Sequence, residues 1–250
     1  MATSFGALST DFHITHKLSL KMDLPDDRET ILHLFDQVRK AEPGMRRFRR
    51  YDGELLLESS RREAEYRWLA LRRTSVRSGA SNPDRMDGGY RFHRNILQLI
   101  PYQLSISPID VAYQELWFSF DLECKANQDE VVYDALIADT PLANLMQWPD
   151  STITDVQPIF GLRLGGREGM EAYFEVKTRN RGRRSGGGGR TRNEPIAVIV
   201  SVRKSGPIDK VEDLITNFDK MSHHCEQLAT ERLVPDLLTP ISRQITSSSA

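Results

Sequence analysis

Residues 12–22 read FHITHKLSLKM, and the period of that stretch sets the fold class. Phe12, Ile14, Leu18 and Leu20 recur at every second position for most of its length, and His16 is the one interruption of their apolar face. A period of two puts these side chains on one side of a strand and the polar ones on the other. A strand with one dry and one wet face belongs to a sheet covered on a single side, and such sheets are mostly antiparallel.

Outward from this strand, a helix is expected over residues 26–40. Pro25 precedes it, Asp26, Asp27 and Glu29 suit the positive end of its dipole, and Arg39 and Lys40 suit the other end. Ile31, Leu34, Phe35 and Val38 give it one apolar stripe. Three strands should follow, over residues 48–58 with a break near Gly53, over 66–76, and over 96–106 with Pro101 at an edge or bulge. Residues 78–94, SGASNPDRMDGGYRFHR, read as a loop from their Gly, Pro and Asn content.

The order then recurs. A strand is expected over residues 116–124, and Asn127 with Glu130 makes a capping box before Val132, Ala135 and Leu136. A short helix starts at Thr140 and Pro141, and strands follow over 156–164, 172–177 and 196–202. A shift of 102 residues lays Leu18 to Met22 over Phe120 to Cys124. Each half therefore reads β-α-β-β-β. Either this is an internal duplication, or a common order has recurred by chance.

A long helix over residues 208–233 carries Val211, Leu214, Ile215, Phe218, Met221, Cys225, Leu228, Ala229 and Leu233 at helical spacing. Its expected role is to cover the apolar face of the sheet, with coiled-coil pairing between chains as the alternative. Pro235 should end it. The resulting expectation is an α+β fold, a mostly antiparallel sheet packed by helices on one face. Residues 1–110 form the first half, 111–245 the second half with the long helix, and 246–250 a frayed tail; the two halves could also be one continuous domain.

Charge is distributed unevenly. The net charge is -1, yet residues 39–94 hold 15 basic against 8 acidic side chains, and residues 177–192, KTRNRGRRSGGGGRTR, hold seven basic and no acidic ones. Screening confines surface charges to roughly 8 Å at physiological salt, so both zones act locally. Arginine outnumbers lysine 26 to 8, which fits forked recognition of phosphate or carboxylate and equally a GC-rich coding bias.

No nucleophile elbow, HExxH, Walker or dinucleotide-binding motif is present. Cys124 and Cys225 are far apart, and His223, His224 and Cys225 point about 100° apart on a helix, so no metal site or cofactor is expected. Composition and the lack of a long apolar run lead to the expectation of a soluble, cytoplasmic, non-membrane protein.

The remaining candidates form a polyanion-binding set: Arg179, Arg181, Arg183, Arg184, Arg190 and Arg192 around the glycine run, with Arg91 and Arg94 in the first half. Tyr90, Phe92 and His93 interleave with the latter pair as stacking platforms for unpaired bases, and MRRFRRY, residues 45–51, adds more basic and aromatic side chains. The expected function is non-enzymatic binding of nucleic acid or another polyanion. The alternatives are a structural or self-associating protein whose basic loops dock on acidic protein surface, and an enzyme without a recognisable motif.

Overall fold

The computed structural model describes residues 5–51, 53–165, 169–178 and 195–248. Its nine strands form one sheet with the order β2-β3-β4-β5-β1-β6-β9-β8-β7, every neighbouring pair antiparallel. The opening stretch is β1 (Asp11–Leu20), and it lies at the centre, paired with β5 (Ser75–Ser81) and β6 (Val111–Leu122). Its even-numbered side chains are buried beneath helices, with His16 among them.

The first half runs β1, α1 (Arg28–Ala41), β2 (Arg47–Tyr51), β3 (Glu54–Glu58), β4 (Tyr66–Arg72), β5 and α2 (Met86–Gln103). The second runs β6, α3 (Gln128–Leu136), a 3-10 turn at Pro141–Leu145, β7 (Ile159–Arg163), β8 (Met170–Lys177), β9 (Ile196–Ser205) and α4 (Asp213–Leu228). Helix α1 keeps the expected stripe, and Asp27 caps it by accepting from Thr30 N at 2.8 Å. That hydrogen bond holds the Asp27 carboxyl below its usual range. Asn127 caps α3 in the same manner.

Two expectations in the first half are corrected. The stretch expected as one strand over 66–76 is the hairpin β4–β5, turning at Arg73 and Thr74 without glycine or proline. The expected loop over 78–94 and strand over 96–106 are the end of β5 followed by α2. Tyr90, His93, Ile96, Leu97 and Ile100 recur at three and four residues and bury one face of that helix. Gly89 lets α2 approach β1, since a Cβ there would stand 3.0 Å from Ile14 Cδ1. Pro101 sits in the last turn of α2.

The C-terminal helix also departs from expectation. It does not stop before Pro235: α4 continues as a π-helical segment, Ala229–Leu238, into α5 (Thr239–Ser248). A proline lacks the donor for the fourth residue back and crowds its carbonyl, and the wider π turn relieves both conflicts. Residues 246–248, expected as tail, belong to α5.

The 102-residue shift maps Thr15 onto Trp117, and these two are cross-strand partners in β1 and β6. The likeness of the halves is one of order and pairing. It includes an extra strand in the first half and does not by itself make them a duplication.

Candidate binding site

Helix α1 lies across β2, β3 and β4, and its C-terminal end is pinned. Glu42 accepts from Arg67 at 2.5 Å and from Asn95 at 2.9 Å, joining α1, β4 and α2. At its other end the chain entering α1 is tied to the β4–β5 turn: Leu24 N donates to Arg73 O at 2.7 Å, and Arg73 pairs with Asp23 at 2.9 Å. Between these attachments lies a cleft of about 800 Å³, bounded by the first turns of α1 and the β2–β3 hairpin.

Its floor is apolar, with Leu24, Ile31 and Leu71 buried and Leu55 half-buried. At its mouth Leu32 and Phe48 remain 44% and 52% exposed, so two large apolar side chains face open space. The Phe48 ring leans on Phe35 of α1 at 5.7 Å. Gly53, at φ 77°, turns the hairpin in a conformation other residues rarely adopt.

The charges on this cleft are not balanced among themselves. Arg72 is held by Glu54 at 3.0 Å and Arg73 by Asp23, whereas Arg28 and Arg50 line the cleft, together with Asp26, and their side chains have no hydrogen bond or ion pair among the described residues. Arg28 occupies the first turn of α1, the positive end of the dipole, where a cation is unfavourable by a few tenths of a kcal/mol. On β2 itself all five residues are exposed. Arg49 reaches buried Glu58 at 2.8 Å, and Arg47 has no ion-pair partner among the described residues.

Elsewhere several cations are neutralised, although Lys40, Arg62, Arg91 and Arg243 also have no ion-pair partner among the described residues. On the open face of the sheet, Arg203 pairs with Glu115 at 2.9 Å and lies over Tyr113, and Lys17 donates to the Tyr113 hydroxyl at 2.7 Å. Arg77 pairs with Glu54 and lies over Trp68. Glu58 receives the Tyr66 hydroxyl at 2.5 Å, and burial, followed by that carboxylate, pushes the phenol up to about 12. The opposite sheet edge, β7, exposes Ile159, Phe160 and Leu162, and its Arg163 pairs with Glu171 at 3.5 Å.

The sequence-derived candidates fare differently. Arg91 is exposed on α2, and Arg94 donates to Asp219 of α4 at 2.7 Å. Tyr90, Phe92 and His93 are buried rather than displayed on a loop, so they offer no stacking platform; this corrects the reading of residues 78–94 as a loop. Arg179, Arg181, Arg183, Arg184, Arg190 and Arg192 lie outside the described residues. The charge of residues 45–51 is visible in the sequence, whereas their place on a sheet edge beside a cleft is seen only in the fold.

A second polar cluster lies at the centre of the fold. Ser78 Oγ is 2.7 Å from His93 Nδ1, and Gln114 Nε2 is 3.3 Å from His16 Nε2 and donates to Leu214 O at 3.0 Å. All four residues are buried, and Phe218 of α4 packs against both imidazoles. Burial holds His16 down to about 3 and His93 well below its ordinary value, with the neighbouring His16 contributing to the latter. The spacing of Ser78 and His93 is that of a nucleophile and base, but both are buried, and the cleft beside α1 is lined by other side chains.

Among the described residues no group of three His, Cys, Asp or Glu side chains could hold a metal ion, and no helix is long and apolar enough to cross a membrane. No protein-family model and no curated protein sequence matches the chain.

Proposed function

We propose that this chain is a non-enzymatic binding protein that takes an anionic partner at the α1–β2 end of its sheet. The observation that carries the reading is the pair Arg28 and Arg50, two guanidiniums without carboxylate partners among the described residues, over an apolar-floored cleft. Guanidinium is the side chain best suited to carboxylate or phosphate, and a half-apolar cleft adds an anchor that salt does not screen. Arg46 and Arg47, both exposed, extend the positive surface along the start of β2. The basic segment at residues 177–192 is a second candidate contact for the same partner class.

Retention on immobilised polyglutamate and heparin, read at low and raised salt, tests this function. The expected result is retention that falls with salt and is lost when Arg46, Arg47 and Arg50 are changed together to Glu. Loss instead in a variant with Arg181, Arg183 and Arg184 changed to Glu would transfer the function to the basic segment. No retention at low salt on either support would end the anionic reading.

A further inference from the structure

We propose that the partner is a polypeptide, an extended acidic segment that adds to β2 as a tenth strand and packs one aliphatic side chain against the exposed ring of Phe48. This inference rests on the anionic reading above and names the ligand of the same site. β2 is the terminal strand on its side, paired only with β3, and each of its five residues is exposed. Such an edge offers a row of backbone donors and acceptors that only another strand can fill in register. A nucleic acid has no groups spaced to match it.

The side chains on β2 specify what that strand would carry. Phe48 and Arg50 lie on the helix side, where both line the cleft, and Arg47, Arg49 and Tyr51 lie on the open side. An added strand lies about 4.8 Å away, and its side chains alternate between the same two sides. A residue opposite Phe48 meets the half-exposed Phe48 ring directly across the new strand pair. Residues opposite Arg50 and Arg47 meet guanidiniums that have no carboxylate partner among the described residues. The segment recognised is therefore an apolar residue flanked by Asp or Glu on both sides of the strand.

The same side chains argue against a second copy of this edge. Pairing β2 with β2 sets arginine against arginine, and like charges directly opposite destabilise a ladder. Three arginines in five residues thus discourage self-pairing and leave an acidic strand as the complementary occupant.

The test uses the full chain and a dye-labelled, end-blocked octapeptide with one Leu among Glu and Thr residues. Fluorescence polarisation is measured with this peptide, with its alternately N-methylated form, and with a Ser in place of the Leu. Binding should weaken by about tenfold or more on N-methylation and in the Arg50→Glu and Phe48→Ser variants. The Ser peptide should bind more weakly, and Arg243→Glu, an exposed charge reversal on α5, should leave binding unchanged. Amide exchange at residues 47–51 should slow on binding. An N-methylated peptide that binds as well as its parent, with Arg50 still required, overturns strand addition and leaves an anionic site. Oligothymidylate or heparin binding through Arg50 while the peptide does not bind has the same meaning. Failure of every anionic probe removes both readings.

Discussion

Under α2 and α4, His16, Ser78, His93 and Gln114 are buried and hydrogen-bonded within the protein; at β2, Arg47 and Arg50 face water without an ion-pair partner among the described residues. The two regions are polar for opposite reasons. A buried donor or acceptor costs free energy unless its bonds are made internally, and the central cluster makes most of its bonds within the protein, His93 Nε2 being its buried atom without a partner among the described residues. An exposed guanidinium costs the fold almost nothing unpaired, and its donors stay available to something outside. Proximity of reactive residue types is thus a poor guide here, and unfilled bonding capacity beside apolar surface is a better one.

The largest expected difference between the regions is in stability. Phe218 is fully buried, in ring contact with His16, His93 and Tyr90, and Phe218→Ala should cost about 3–5 kcal/mol by transfer and cavity terms together. Urea melts of the full chain check the magnitude. At temperatures where the variant is folded, its retention on polyglutamate should match that of the parent. A loss of retention in folded protein would join the two regions that the structure separates.

How far each region could be read from the sequence follows from the kind of signal it carries. β1, α1, α3 and the second-half strands were legible because period and capping residues agree there, as with Asn127 before α3. α2 was misread because Asn82-Pro83 and Gly88-Gly89 punctuate its start and Pro101 lies in its end, and this outweighed the spacing of Tyr90, His93, Leu97 and Ile100. The turn at Arg73-Thr74 has no punctuating residue at all. The charge of residues 45–51 was visible, but the cleft beside them was not. That cleft depends on Ile31, Leu55 and Leu71 arriving from three separate elements, which no local pattern encodes.

A smaller effect separates the regions by pH. His16 is neutral in the fold and held down to about 3, while in the unfolded chain it titrates near its ordinary 6.5. Between those values the unfolded state binds more protons, so stability is complete above pH 6.5 and falls as pH drops toward 3, by up to about 1.4 kcal/mol per pH unit for one such group. His93, lowered by burial in the same cluster, acts with the same sign. His16→Gln can retain a bond to Gln114 and has no proton to take up, so its stability between pH 6.5 and 5 should fall less steeply than that of the parent. Parallel profiles would mean that the carboxylates, not the buried imidazole, set the acid limit.

The smallest effect sharpens the comparison most, because its sign on stability opposes its sign on binding. Arg28 places a cation in the first turn of α1, where the dipole favours an anion, and it has no ion-pair partner among the described residues to offset that. Arg28→Glu should therefore raise stability by about 0.3–1 kcal/mol, read as a higher urea midpoint at unchanged slope. The same change removes one of the two unpaired guanidiniums from the cleft, so retention of the full chain on polyglutamate should weaken. A residue kept for the fold loses stability when replaced, whereas a residue kept for a ligand can gain it at the expense of binding. If Arg28→Glu destabilises the chain, Arg28 serves the fold, as the buried centre does. If it stabilises the chain and leaves retention unchanged, the cleft is not where the anion is held.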